Sequence, residues 1–185
     1  MARIVILIEF VVFLSFVVGF NIKRGLRGRE PLGKYPIHPL LFATGKLSMG
    51  ASLAFLALHA VGVDLSLFDA PVAFGYVSAG LFSIGLVFSI FAFLHLGNES
   101  RFGVSQEIGG LKTTGVYNVS RNPMYLGFYL ITLASLLSVP NPVNVCAGLF
   151  GVFVHHRIVL AEERFLSGEY GSEYEAYMRT VRRYI

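Results

Sequence analysis

The sequence predicts an all-α, polytopic membrane protein of about five transmembrane helices, with a C-terminal helical hairpin and a cytoplasmic tail helix. Three observations carry this. Hydrophobic residues make up 55% of the 185 residues and charged residues only 14%, whereas a soluble domain carries about 25% charged residues. Mean hydropathy is +0.66. Several apolar runs approach or exceed the ~18 residues that read as a spanning helix. Lipid offers backbone polar groups no partner, so such runs must be helices rather than loops.

The first run covers 4–20. Arg3 precedes it, as in a signal peptide, but no small-residue cleavage site follows, and it reads as a retained helix. A basic, Gly-rich loop at 23–34 and Pro36 and Pro39 separate it from the second run, 40–61, which contains Lys46 and His59. A short acidic turn with Asp64 and Asp69 leads to the third run, 71–96. The segment 97–122 is polar, and Gly103, Gly109, Gly110 and Gly115 break any helix there. Runs four (123–139) and five (143–160) are joined by Pro140-Asn141-Pro142, the tip of a helical hairpin. The tail, 161–185, reads as a soluble helix.

Orientation follows from Lys and Arg in short loops. Lys23, Arg24, Arg27, Arg29 and Lys34 follow the first span, Arg101, Lys112 and Arg121 follow the third, and Arg164, Arg179, Arg182 and Arg183 lie in the tail. The turns near Asp64 and Asn141 hold no Lys or Arg. The expected topology therefore puts the N-terminus outside and the C-terminus in the cytoplasm. The net charge of +4 is then a topology signal, with no nucleic acid implied. The single cysteine, Cys146, allows no disulfide within the chain. His155 and His156 point about 100° apart on a helix and cannot easily share an ion, so no metal is expected.

Polar residues with chemical potential gather at the expected cytoplasmic face: the segment 97–125, the end of the fifth span and the tail. Thr114-Gly115-Val116-Tyr117 leads into Arg121-Asn122-Pro123-Met124-Tyr125-Leu126-Gly127; later come Glu162-Glu163-Arg164-Phe165-Leu166, then Tyr170, Gly171, Glu173, Tyr174 and Tyr177. This pattern resembles the isoprenylcysteine carboxyl methyltransferase and phospholipid methyltransferase superfamily. Its members carry Gly-x-Tyr, then Arg-His-Pro-x-Tyr-x-Gly opening a helix, then a hairpin, paired glutamates and a Tyr-rich tail. The likeness runs from about Leu94 to Arg183. It implies one membrane domain, 1–185, in which 1–96 supplies N-terminal spans and 97–185 a cofactor-binding methyltransferase core.

The resemblance also implies a cofactor, S-adenosylmethionine, and an amphipathic or lipid acceptor, isoprenylcysteine-carboxylate-like or phospholipid-amine-like, entering from the bilayer. By the same resemblance Gln106, Gly109, Gly110, Leu111 and Lys112 contact the cofactor, partly through backbone. Tyr117, Asn122, Pro123, Tyr125 and Glu162 complete its pocket, and Arg121, Arg157 and Tyr125 serve catalysis. Asn122 stands where the family motif has His. It can donate and accept hydrogen bonds but cannot act as a base.

The chemistry of these residue types agrees. Methyl transfer from a sulfonium is an in-line displacement that the protein mainly positions. Tyr117 and Tyr125 suit a cation, Glu162 suits an ammonium, and Arg121 or Arg157 suits an acceptor carboxylate.

Bland readings stand beside these. Arginine at a membrane boundary commonly snorkels to phosphates, and tyrosines there form interfacial belts, the reading preferred for Tyr129. Glu163 is expected to solvate the surface. Tyr170, Tyr174, Tyr177 and Val181 recur at helical spacing and are expected to pack the tail. Lys46 is either functional or a snorkelling charge. Other function classes remain: an NADPH-dependent sterol-type reductase, a small-thiol methyltransferase, or a non-enzymatic membrane subunit.

Overall fold

The computed structural model describes residues 1–25, 35–96 and 110–185. Its elements are α1 (Ala2–Gly25), α2 (Pro39–Ala60), α3 (Val72–Leu96), a 3-10 turn (Gly115–Asn118), α4 (Pro123–Ser138), α5 (Pro142–Tyr170) and α6 (Ser172–Thr180). Helices α1, α2, α3 and α5 are long and apolar enough to cross a membrane, and α4 is a shorter apolar helix. The all-helical, multi-pass expectation holds. Large apolar side chains such as Ile8, Leu47, Val87 and Leu149 are exposed, as lipid-facing surfaces require.

Two ends of the bundle are defined by contacts. At one, Arg3 of α1 pairs with Asp64 at 3.1 Å and donates to His59 at 3.3 Å. Asn141 donates to the Leu65 carbonyl at 2.8 Å, and the Leu67 amide donates to the Pro140 carbonyl at 3.2 Å. The start of α1, the α2–α3 turn and the α4–α5 turn therefore meet at this end. The starts of α2 and α4, the far part of α5 and the tail meet at the other.

Small residues let the helices approach. A Cβ added to Gly85 of α3 would stand 2.7 Å from the Gly127 carbonyl of α4, and one on Gly127 would stand 2.5 Å from the Gly85 carbonyl. Only glycine at both sites allows this crossing. Gly45 of α2 meets Val154 of α5, and a Cβ on Gly151 would lie 3.1 Å from the Met49 amide. Polar knots sit within the apolar interior. Asn144 of α5 donates to the Ser135 and Val139 carbonyls at 3.2 and 3.0 Å, while its oxygen accepts from Ser52 at 2.9 Å. Ser78 bridges to the Ala134 carbonyl at 2.7 Å. On α1, Glu9 accepts from Ser83 of α3. The Asn144 and Ser78 bonds satisfy polar groups where no water competes.

Two helix lengths matter for the site. Helix α4 has 16 residues, about 24 Å at 1.5 Å per residue, less than the ~30 Å hydrocarbon core. At least one of its two ends therefore stands at or within the lipid boundary. Helix α5 corrects the expected boundary at residue 160. It runs unbroken for 29 residues and turns only at Gly171, whose φ of +50° favours glycine. Glu162 and Glu163 accordingly do not open a separate cytoplasmic helix. They stand on the extension of the fifth span itself.

Candidate active site

The segment Arg121–Gly127 enters α4 with Asn122 at the N-cap position and Pro123 as the first helical residue, where a missing N–H costs nothing. Asn122 makes no capping bond. Its amide instead donates to Glu163 Oε1 at 3.0 Å and to the Arg183 carbonyl at 3.3 Å. Three residues on, the buried Tyr125 turns to the other glutamate and donates to Glu162 Oε1 at 2.9 Å. Gly127, a further half turn along, supplies the crossing with α3 described above.

Glu162 lies partly buried on the inner face of α5. Lys46 of α2 and the Tyr117 and Tyr129 phenols are also within its electrostatic reach. His155 lies two turns back on the same face of α5, since seven residues return nearly to the same direction. It is buried, with its ring 6.1 Å from that of Tyr125 and Nδ1 bonded to the Gly151 carbonyl at 2.7 Å. Below this group pack Phe42, Val154, Ile158 and Val159.

Glu163 holds a different assembly. It is buried, not solvating a surface, which corrects the expectation for it. Arg121 reaches it at 3.1 Å and Arg183 at 2.8 Å. The remaining Arg121 nitrogen, Nη1, donates to the Val181 carbonyl at 2.6 Å and the Met178 carbonyl at 3.3 Å. With all three nitrogens engaged, Arg121 is a clamp on the tail and not an open fork for an acceptor. The hydrogen bond from Arg183 to Glu163 holds the Arg183 guanidinium above its usual range.

The tail completes the strap. The Arg121 amide donates to the Arg182 carbonyl at 3.0 Å and Ser120 to the Arg183 carbonyl at 3.1 Å. Tyr184 reaches back to His156 at 2.8 Å and to Tyr129 at 3.4 Å. Tyr174, Tyr177 and Val181 form a buried cluster with Leu111, Leu166, Tyr170 and Met178, as their spacing predicts. Tyr177 donates to the Tyr117 carbonyl. Burial pushes the Tyr174 and Tyr177 phenols up to about 12 and raises Tyr117 as well, so all three are neutral donors near pH 7.

The structure thus brings together Tyr117, Tyr125 and Glu162, with Asn122 and Pro123 fixing the turn that delivers Tyr125. Leu111 lies in the tail cluster, Gly110 has open space about it, and Lys112 is exposed. Gln106 and Gly109 lie outside the described residues. Arg157 is not brought to the group. It is exposed, and five residues along a helix place it about 140° around α5 from Glu162. Sequence reasoning missed Glu163 as a hub and His155 as a neighbour of Tyr125. The signal for both was helical phase, which a helix ending at 160 concealed.

The family model for phospholipid methyltransferase matches residues 74–173, which span α3, the 3-10 turn, α4, α5 and the start of α6. No curated protein and no solved structure matches the chain. The match covers more than half of the sequence and encloses Tyr117, Asn122, Tyr125, Glu162 and Glu163. This multi-pass membrane protein belongs to the phospholipid methyltransferase family.

Proposed function

We propose that the chain is an S-adenosylmethionine-dependent methyltransferase whose acceptor is an amphipathic molecule, phospholipid-amine-like before isoprenylcysteine-carboxylate-like, reached sideways from the bilayer. The observation that supports this best is the Tyr125–Glu162 pair at 2.9 Å, with Tyr125 buried and Glu162 partly buried, near Tyr117 at the end where α4 starts and α5 leaves the apolar core. An acidic group flanked by phenols fits a cationic ligand. The cofactor, when bound, supplies a methyl group on a sulfonium, already activated for displacement.

The protein's own contribution is position and environment. Glu162 offers a carboxylate to an ammonium, and Tyr125 fixes its rotamer by donating to one oxygen. Tyr117 presents an aromatic face and a neutral phenol. Phe42, Met124 and Phe128 give the floor of the site an apolar surface. Such a surface favours the uncharged form of an amine drawn in from the headgroup region, which is the form that can attack. Asn122 cannot take a proton; it positions Tyr125 through its bond to Glu163. Arg121 is engaged by Glu163, which favours the amine acceptor over one needing a guanidinium fork. The short α4 allows the site to stand at the lipid boundary, where both a lipid acceptor and a water-borne cofactor reach it. The basic loops favour a cytoplasmic position for that end.

The test is transfer of a labelled methyl group from S-adenosylmethionine to lipid-extractable material in membranes holding the protein. Glu162→Ala is expected to abolish the labelling while the variant remains folded. Equal labelling by the variant would take Glu162 out of the site.

A further inference from the structure

Lys46 lies on α2, outside the segment that the family model matches. It sits next to Gly45, the residue through which α2 meets Val154 of α5. A cation seven positions into an apolar span is costly, and its direction is informative. Its Nζ stands 4.6 Å from the centre of the Phe42 ring. Phe42 is one turn nearer the start of α2, so the side chain runs along the helix toward the site end. Phe42 is itself buried against Tyr125, Val154, Ile158 and Val159. From Val154, which lies level with Gly45, Glu162 is two helical turns along α5 in that same direction. The Lys46 stem therefore climbs from the α2–α5 contact toward Glu162 and Tyr125. Glu162 and His155 both lie within electrostatic reach of Lys46.

A carboxylate and an ammonium on two facing helices, within electrostatic reach of each other, match, in reverse, the two charges of an α-amino acid. We propose that Lys46 and Glu162 form a receptor for the amino-acid end of the cofactor, Lys46 taking its carboxylate and Glu162 its ammonium. The inference rests on the methyltransferase reading above and adds a residue to it. A pair that already balances its own charge accepts a zwitterion with no net change of charge in a low-dielectric site. A lone glutamate there would leave the ligand's carboxylate facing apolar wall and phenols. Tyr125 keeps Glu162 oriented, and Phe42 carries the Lys46 ammonium on its ring face.

The experiment is calorimetric binding to the full chain in lipid nanodiscs with two probes: S-adenosylhomocysteine and its decarboxylated analogue, which keeps the amine. The wild-type protein is expected to prefer S-adenosylhomocysteine by about tenfold or more, the scale of one charge-assisted contact. Lys46→Met is expected to erase that preference by weakening S-adenosylhomocysteine alone, and Lys46→Arg to restore most of it. Equal loss for both probes, or none for either, overturns the role of Lys46 and leaves the methyltransferase reading standing. Absence of any preference in the wild-type protein overturns it too, without need of a folded variant. Wild-type protein that binds neither probe removes both readings.

Discussion

Glu162 and Glu163 are neighbours in sequence and face in directions about 100° apart on α5, and each takes a different part of one motif. Tyr125 donates to Glu162, while Arg121 and Asn122 donate to Glu163. The paired glutamates thus split into a carboxylate held by Tyr125 and a buried structural one, and the entry to α4 is pinned between them.

Loss of Glu163 should release the tail. The Arg121–Glu163 side chains are only 9% and 7% exposed, and removing one partner of a buried ion pair costs about 3–5 kcal/mol. Glu163→Ala is expected to lower the thermal midpoint in detergent and to make residues beyond Gly171 rapidly cleavable by protease. Unchanged protection of the tail would contradict the strap.

Asn122 can be exchanged for the residue the family motif carries. An imidazole keeps one N–H for Glu163, so Asn122→His should leave the thermal midpoint close to wild type. Asn122→Ala loses both donated bonds, one of them to a charged group, and is expected to cost about 1–3 kcal/mol. Thermal unfolding of both variants, side by side, gives the comparison.

The α3–α4 crossing predicts a contrast between glycines. Gly85→Ala and Gly127→Ala each push a methyl into a facing carbonyl, an overpacking cost of about 1–3 kcal/mol. Gly80→Ala on the same helix α3 meets nothing within 4 Å and should be neutral or slightly stabilising. Equal effects at Gly80 and Gly85 would refute the close approach.

Topology can be read with a membrane-impermeant thiol reagent in intact cells, using a Cys146→Ser background. A cysteine at Ser66, in the turn that Asn141 closes onto, is expected to label from outside. One at Ser172 is expected to label only after permeabilisation. The reverse pattern would invert the protein and place the candidate site outside.

Much of this was legible because lipid simplifies the reading. Apolar runs gave α1 to α4 to within a few residues, and Lys and Arg separated the two ends. The motif announced its own helix start, since Asn122-Pro123 can only be an entry. The end of α5 was not legible. Ala161-Glu162-Glu163-Arg164 marks a change of solvent, which hydropathy registers, and not a change of backbone. The strap was hidden for another reason. Arg182 and Arg183 read as topology charges, yet the Arg183 guanidinium and both residues' carbonyls bind back to 120–122 and Glu163, a long-range pairing that no local pattern encodes. Glu9 is a single carboxylate in an otherwise apolar span, and only the packing of α1 on α3 reveals Ser83 as its partner.

The central claim is that Glu162 belongs to a cofactor site shared with Tyr125. Calorimetric titration of S-adenosylhomocysteine into detergent-purified protein, with Glu162→Ala and Tyr125→Phe alongside, tests it most directly. The account predicts saturable binding by the wild type, none detectable in Glu162→Ala, and binding weakened by about tenfold in Tyr125→Phe, which loses one hydrogen bond to a charged group. Folded Glu162→Ala protein that binds as tightly as the wild type would contradict it.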